Sequence, residues 1–222
     1  MPIAVFMLSA RGREGILAGT LASWDATDWG GRPRLVLDPA PEPAVPPVSQ
    51  QRMQAAWRSL LAAAVDFASS SSSFSSSFSQ PERDGEPFLL LLEDDLAFAR
   101  HLRAALRAWP PLRALGPFAS LYDPGIPGVG TAWPAARAAK PAGIQGAQAL
   151  LLRPDFARHA LRHWEEMGGH VPSRRFALLA ARDFPGEPLY YHRPSLIQHT
   201  ATLSAWGAPL HRAKDFEEHW QP

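Results

Sequence analysis

The chain has 222 residues, 46% of them hydrophobic, a formal net charge of +1 and no cysteine. That is enough apolar material for the core of a single domain spanning 1–222. The near-neutral charge gives no strong pull toward nucleic acid or anionic membrane, and the lack of cysteine excludes disulfides and thiolate metal sites.

The opening segment, Met1 to Ala10, is apolar, has no basic residue ahead of it and is too short to span a bilayer. It reads as a first strand over Ile3 to Leu8 in a soluble, cytoplasmic protein. Arg13 to Trp24 carries Ile16, Leu17, Thr20, Leu21 and Trp24 at helical spacing. A short strand, Arg34 to Leu37, is closed by Asp38 and a proline-rich loop. Ser49 is placed to cap a helix whose stripe is Met53, Ala56, Trp57, Leu60, Leu61, Ala64 and Val65. The serine-rich stretch 69–87 has little to bury and is expected to be a mobile loop. Phe88 to Leu92 is a fully apolar strand, and a helix is expected from Leu96 to Trp109, stopped by Pro110-Pro111.

In the second half, Phe118 to Tyr122 reads as a strand, and Pro124 to Lys140, rich in glycine and proline, as a flexible flap. Gln148 to Leu152 is a buried strand, Pro154 opens a helix to about Met167, and Phe176 to Ala181 is a short helix. Pro188 to His192 is a strand, and Pro194 to His199 is a loop or strand end. Alternation of strand and helix without repeats predicts an α/β domain.

The chemistry concentrates where the leucine strand ends in Glu93, Asp94 and Asp95. Such a strand is buried on both faces, as in a mostly parallel sheet, and ligands bind beyond the carboxyl ends of its strands. Three adjacent acids repel unless a cation joins them, and a divalent metal with hard oxygen ligands answers that. This points to a metal-dependent enzyme acting on a phosphorylated substrate. The competing reading is that Asp94 or Asp95 caps the helix expected at Leu96.

His199 follows a strand and either completes a metal shell or is an ordinary hydrogen-bonded histidine, the commoner fate. His159 and His163, at i and i+4, lack the neighbouring Glu of a zinc helix and are flanked by Arg158 and Arg162, so a solvated face is expected. Arg11 and Arg13 follow the first strand, where they either grip a pyrophosphate or are simply solvated. Asp38 either accepts a hydrogen bond from a nucleotide or begins its own turn. Trp133, Trp164, Trp206 and Trp220 are read as exposed rings able to stack on sugars, although packing is the commoner use of tryptophan.

Four segments resemble the GT-A glycosyltransferases, in particular the N-acetylglucosaminyltransferase IV type and its small bacterial relatives. They are Arg13 through Trp24, Leu91-Leu92-Glu93-Asp94-Asp95, Gly143 through Leu150, and Pro194-Ser195-Leu196-Ile197-Gln198-His199 with Ser204. The last is the most specific. The resemblance implies a GT-A-like, Rossmann-like domain with a mostly parallel sheet flanked by helices. Its nucleotide-sugar half is about 1–110 and its acceptor half about 111–222. It also implies a UDP-sugar donor, Mn²⁺ or Mg²⁺, and a glycan, peptide or small-molecule hydroxyl acceptor, with inversion at the anomeric carbon. Asp95 and His199 become expected metal ligands, and Arg11, Arg13, Asp38, Glu93 and Asp94 expected donor contacts.

Departures from the family pattern are Ala201, where a Gly is common, and the serine-rich insert. Where the family often places an acid near the acceptor, this chain has Ser173-Arg174-Arg175-Phe176, which makes Asp183 the expected base and Glu187 the alternative. Two other classes are compatible with the residues. One is a sugar-phosphate nucleotidyltransferase, for which Ser9-Ala10-Arg11-Gly12-Arg13 is a weak Gly-rich loop; the other is a non-catalytic GT-A-like binding domain.

Overall fold

Leu89, Leu90, Leu91 and Leu92 are completely buried. Successive side chains of a strand point to opposite faces, so such a run needs cover on both sides. The computed structural model describes residues 2–45, 47–72, 86–124, 136–139, 146–168, 170–200 and 212–222.

The strands are β1 (Ile3–Ser9), β2 (Arg34–Leu37), β3 (Phe88–Leu92), β4 (Leu96–Phe98), β5 (Phe118–Ser120), β6 (Ala136–Ala139), β7 (Ala149–Leu152), β8 (Leu189–His192) and β9 (Ile197–His199). The helices are α1 (Glu14–Asp25), α2 (Gln50–Ser72), α3 (Leu102–Ala108), α4 (Pro154–Arg162) and α5 (Pro172–Asp183).

Seven strands form one sheet in the order β2-β1-β3-β7-β5-β8-β6, and β4 and β9 form a separate antiparallel pair. In the large sheet β2, β1, β3, β5 and β8 run one way, while β7 and β6 run against them. The domain is therefore α/β with a mostly parallel sheet, as expected. The antiparallel β7 wedged between β3 and β5 was not foreseeable, because a continuous apolar run carries no mark of strand direction.

Alternation along the central strands feeds two cores. Phe6, Leu89, Leu91, Leu150 and Leu152 face α2, α4 and α5, where Trp57, Phe156 and Phe176 pack. Val5, Met7, Leu90, Leu92 and Leu151 face the other way, against Trp24 of α1, Leu102 and Leu106 of α3, and the β4-β9 pair. Each fully buried leucine contributes about 1.5–3 kcal/mol of transfer free energy.

Several boundaries differ from expectation. Leu96 to Phe98 is a strand, and the helix begins only at Leu102. Leu96 and Phe98 are buried at alternate positions, and β4 finds both a partner strand and two side-chain acceptors: Thr20 Oγ1 accepts the Leu96 N–H at 3.0 Å, and Ser23 Oγ the Phe98 N–H at 3.0 Å. Asp94 and Asp95 thus do not cap a helix. Ser49 does cap α2, accepting the Arg52 N–H at 3.1 Å.

Helix α2 continues through Ser69 and Ser70, whose hydroxyls bond back to Val65 and Asp66; the remaining serine-rich residues 73–85 lie outside the described residues. Within the expected flap, Ala136–Ala139 is an edge strand paired with β8, and 125–135 lie outside the described residues. So do Gly143 to Gln145, Ala201, Ser204, Trp133 and Trp206. Trp164 is a core residue, 2% exposed, and Trp220 packs against the second core, so neither stands free as a stacking platform. No helix among the described residues is long and apolar enough to cross a membrane.

Candidate functional site at the carboxyl edge of the sheet

β1 lies between β2 and β3, so the chain leaves β1 to one side for β2 and crosses to the other for β3. Strand order therefore reverses at β1, and in open α/β sheets the ligand crevice lies outside the carboxyl ends at such a reversal. The residues that emerge there are Ser9 at the end of β1 and Ala10 to Arg13 after it, Asp38 after β2, and Glu93 to Asp95 after β3.

Asp94 and Asp95 are each 4% exposed and Arg13 is 8% exposed. The Arg13 guanidinium donates to both oxygens of Asp94, at 2.6–3.0 Å, and through Nη2 to Asp95 Oδ2 at 2.9 Å. Ser9 Oγ adds a bond to Asp94 Oδ2 at 2.6 Å, and Thr20 Oγ1 donates to the Asp94 carbonyl at 2.6 Å. Asp94 is thus held on both oxygens from β1 and α1. One buried guanidinium shared by two carboxylates offsets their mutual repulsion, an arrangement suited to the planar fork of arginine.

His199 reaches the same place through the β4-β9 pair, in which Leu96 stands opposite His199. Its Nε2 lies 3.3 Å from Asp95 Oδ2, and the Thr200 N–H donates to the Asp95 carbonyl at 2.8 Å. Two expected site residues, far apart in sequence, are therefore brought together. Burial would raise the Asp95 carboxyl, but His199 and Arg13 outweigh it and hold it below the usual carboxylate range. Burial would lower His199, and Asp95 outweighs that and raises it. Glu93 is only partly buried and forms no ion pair among the described residues. Desolvation, with repulsion from Asp95 and Asp94, pushes it up to about 8.

Among the described residues, no three His, Asp or Glu side chains are grouped to hold a metal ion. The available donors fit a divalent cation in a more limited way. Asp95 Oδ1 and His199 Nδ1 are buried with no hydrogen-bond partner among the described residues, and such orphaned atoms in an otherwise satisfied cluster call for a ligand. An oxygen and an imidazole nitrogen suit Mn²⁺ or Mg²⁺ when water or phosphate oxygens complete the shell.

The other expected donor contacts are engaged differently. Arg11 is exposed and donates to the Pro41 carbonyl at 3.2 Å. Asp38 is buried, accepts from Arg52 Nε at 2.6 Å and closes its own turn onto the Ala40 N–H at 3.0 Å. Arg52, on α2, also ties down the carbonyls of Glu42 and Pro43.

Asp183 is a correction. It ends α5, just ahead of the amino end of β8, so it and Glu187 sit at the opposite edge of the sheet from Asp95. Glu187 pairs there with Arg153, which follows the antiparallel β7. Hydrogen bonds from Arg182 and His159 hold Asp183 down at about 2, too low for a general base near neutrality. His159 and His163 are accounted for by carboxylates: Asp183 at 2.7 Å and Glu166 at 2.5 Å.

Among the described residues after 110, Asp123 and Asp215 are acids that lie at the same edge as Asp95. Asp123 follows β5, its side chain is 1% exposed, and Arg193 donates to its Oδ2 at 2.9 and 3.1 Å. Ser195 Oγ accepts the Asp123 N–H at 3.0 Å and donates to Asp215 Oδ1 at 2.7 Å. The rule that singled out Glu93, an acid directly after a buried strand, applies equally to Asp123. The Pro-Ser-Leu-Ile-Gln-His string also has a local account. Ser195 joins two acids, Leu196 is buried, and Gln198 clamps both the N–H and the carbonyl of Ala213. His199 meets Asp95. Compared with known proteins, the chain matches no family model and no curated protein sequence.

Proposed function

We propose that the protein is a metal-dependent glycosyltransferase of the GT-A type, moving a sugar from a UDP-sugar to a hydroxyl acceptor. The observation that carries this reading is the meeting of Asp95 and His199 at the carboxyl end of β3, beside a buried Asp95 Oδ1 with no partner among the described residues. That place is the strand-order reversal, where an α/β sheet opens to ligand.

A Mn²⁺ or Mg²⁺ ion held by Asp95 and His199 would supply Lewis-acid neutralisation of a departing diphosphate. The chain's own side chains do the positioning. Arg13 fixes both aspartates in one orientation, and Ser9 and Thr20 lock Asp94 so that Asp95 faces His199. Glu93 is the one acid of the three that no guanidinium pairs among the described residues, and it is the acid assigned to a donor hydroxyl contact. Arg11, exposed beside the same loop, is available to phosphate oxygens. On the acceptor half, Asp123 and Asp215 replace Asp183 and Glu187 as the acids within reach of this edge.

A second reading is favoured by one observation: Arg13 already neutralises both aspartates. A GT-A-like domain that binds without turnover would look like this. A panel of UDP-sugars with Mn²⁺, read as UDP release and as thermal shift, separates the two. Transfer or hydrolysis that requires Mn²⁺ and disappears in Asp95→Ala supports the enzyme. Stabilisation without UDP release, about 2.7 kcal/mol at a hundred times Kd, supports the binding domain. Neither signal with any UDP-sugar overturns both.

A further inference from the structure

The amino edge of the sheet holds a cleft of about 570 Å³, formed by the starts of β1 and β2, the residue before β3, and α3. Arg32, Arg34, Arg103 and Arg107 line it together with Trp29 and Phe67, and no carboxylate lines it among the described residues. The nearby acids are already engaged. Asp25 pairs with Arg32, and both oxygens of Asp28 accept backbone N–H groups of α3, from Arg103 at 2.7 Å and Ala104 at 2.9 Å.

The other three guanidiniums have no ion pair among the described residues. Arg34 lies over the Phe67 ring at 4.2 Å, and Arg103 donates only to the Trp29 carbonyl at 3.2 Å. Gly30 and Gly31 form part of the rim, and nothing lies within 4 Å of a Cβ built on Gly31. In a chain of net charge +1, this is a local excess of positive charge around a concave, partly aromatic wall.

Guanidiniums gathered around one hollow repel unless an anion joins them, and their fork matches phosphate oxygens bidentately. The volume is that of a small-molecule pocket. We propose that this cleft is a binding site for a small phosphorylated ligand, separate from the carboxyl-edge site and at the other end of the same strands. Arg34, Arg103 and Arg107 grip the phosphate, and Trp29 and Phe67 supply an apolar wall for the remainder.

The test is calorimetric titration of the full chain with inorganic pyrophosphate, at low ionic strength and without divalent metal. Wild type binds, the Arg34→Gln/Arg107→Gln variant loses at least tenfold in affinity, and Asp95→Ala binds as wild type does. Arg107→Gln alone, an exposed position with no protein partner among the described residues, loses part of the affinity and keeps the proposal testable if the double variant does not fold. Raising salt weakens the binding. Absence of pyrophosphate binding, or binding that survives both arginine variants and vanishes in Asp95→Ala, overturns the proposal. The glycosyltransferase reading stands or falls separately, on UDP release.

Discussion

At the carboxyl edge of the sheet, Arg13 is 8% exposed and shared by two buried aspartates. At the amino edge, Arg34, Arg103 and Arg107 are exposed and face no carboxylate in their cleft among the described residues. The same residue type thus does two different jobs at the two ends of β1. Where the chain buries charge, it must supply the partner itself, because an unpaired ion in a low-dielectric interior costs several kcal/mol. Where charge stays in contact with water, the chain can leave it unpaired and available to a ligand. The buried edge is therefore strongly coupled to folding, and the open edge is not.

Breaking the pair is the severest test. Arg13→Ala leaves Asp94 and Asp95 buried without their guanidinium and is expected to cost about 3–5 kcal/mol, measured by urea denaturation. A loss under about 1 kcal/mol would show that the two aspartates are hydrated and that the contrast between the edges is false.

His192 sharpens the comparison by showing how this fold treats a buried ionisable group with no counter-ion among the described residues. It is completely buried, its Nδ1 lies 2.7 Å from the Pro194 carbonyl, and desolvation pushes its pKa down to about 4 despite that bond. In the unfolded chain it titrates near 6.5, so between these values the unfolded state binds the extra proton. Stability is expected to fall as pH drops from about 6.5 toward 4, by a total on the order of 3 kcal/mol from this group. The pH dependence of denaturant midpoints, compared with His192→Gln, checks this: an unchanged slope in the variant would assign the acid sensitivity elsewhere.

Thr20→Val tests the smaller supports of the buried edge. It removes a hydroxyl that bonds both the Asp94 carbonyl and the Leu96 N–H, at an expected cost of about 1–3 kcal/mol for polar groups left unsatisfied. The same equilibrium denaturation reads it, and no change would mean that β9 and the Ser23 hydroxyl anchor β4 without it. The smallest effect belongs to the open edge: Arg107→Gln should move stability by no more than about 0.5 kcal/mol. A larger loss would mean that the cleft arginines are structural after all.

Much of the architecture was legible in the chain. Five apolar residues from Phe88 announced a strand covered on both faces, and the stripe from Met53 to Val65 announced a core-facing helix. Ser49 marked its start. The strand at Leu96 was not legible, because three residues of a strand look like the first turn of a helix until the partner β9 and the hydroxyls of Thr20 and Ser23 are in place. Within the candidate site, Glu93 to Asp95 stood out because charge at the end of a buried strand needs a reason. Asp123 satisfies the same condition, but a single acid after a strand does not stand out from a turn residue.

What sequence alone determined was the alternation of strands and helices, the double-sided burial of β3 and the concentration of acid at its end. These depend on neighbours in the chain, through side-chain period and local charge. The tertiary structure decided the direction of β7, the arrival of His199 at Asp95, the removal of Asp183 to the far edge, and the gathering of Arg32, Arg34, Arg103 and Arg107 around one cleft. Each of these is a relation between segments distant in sequence. Only sheet order and strand direction determine which ends of which strands share an edge.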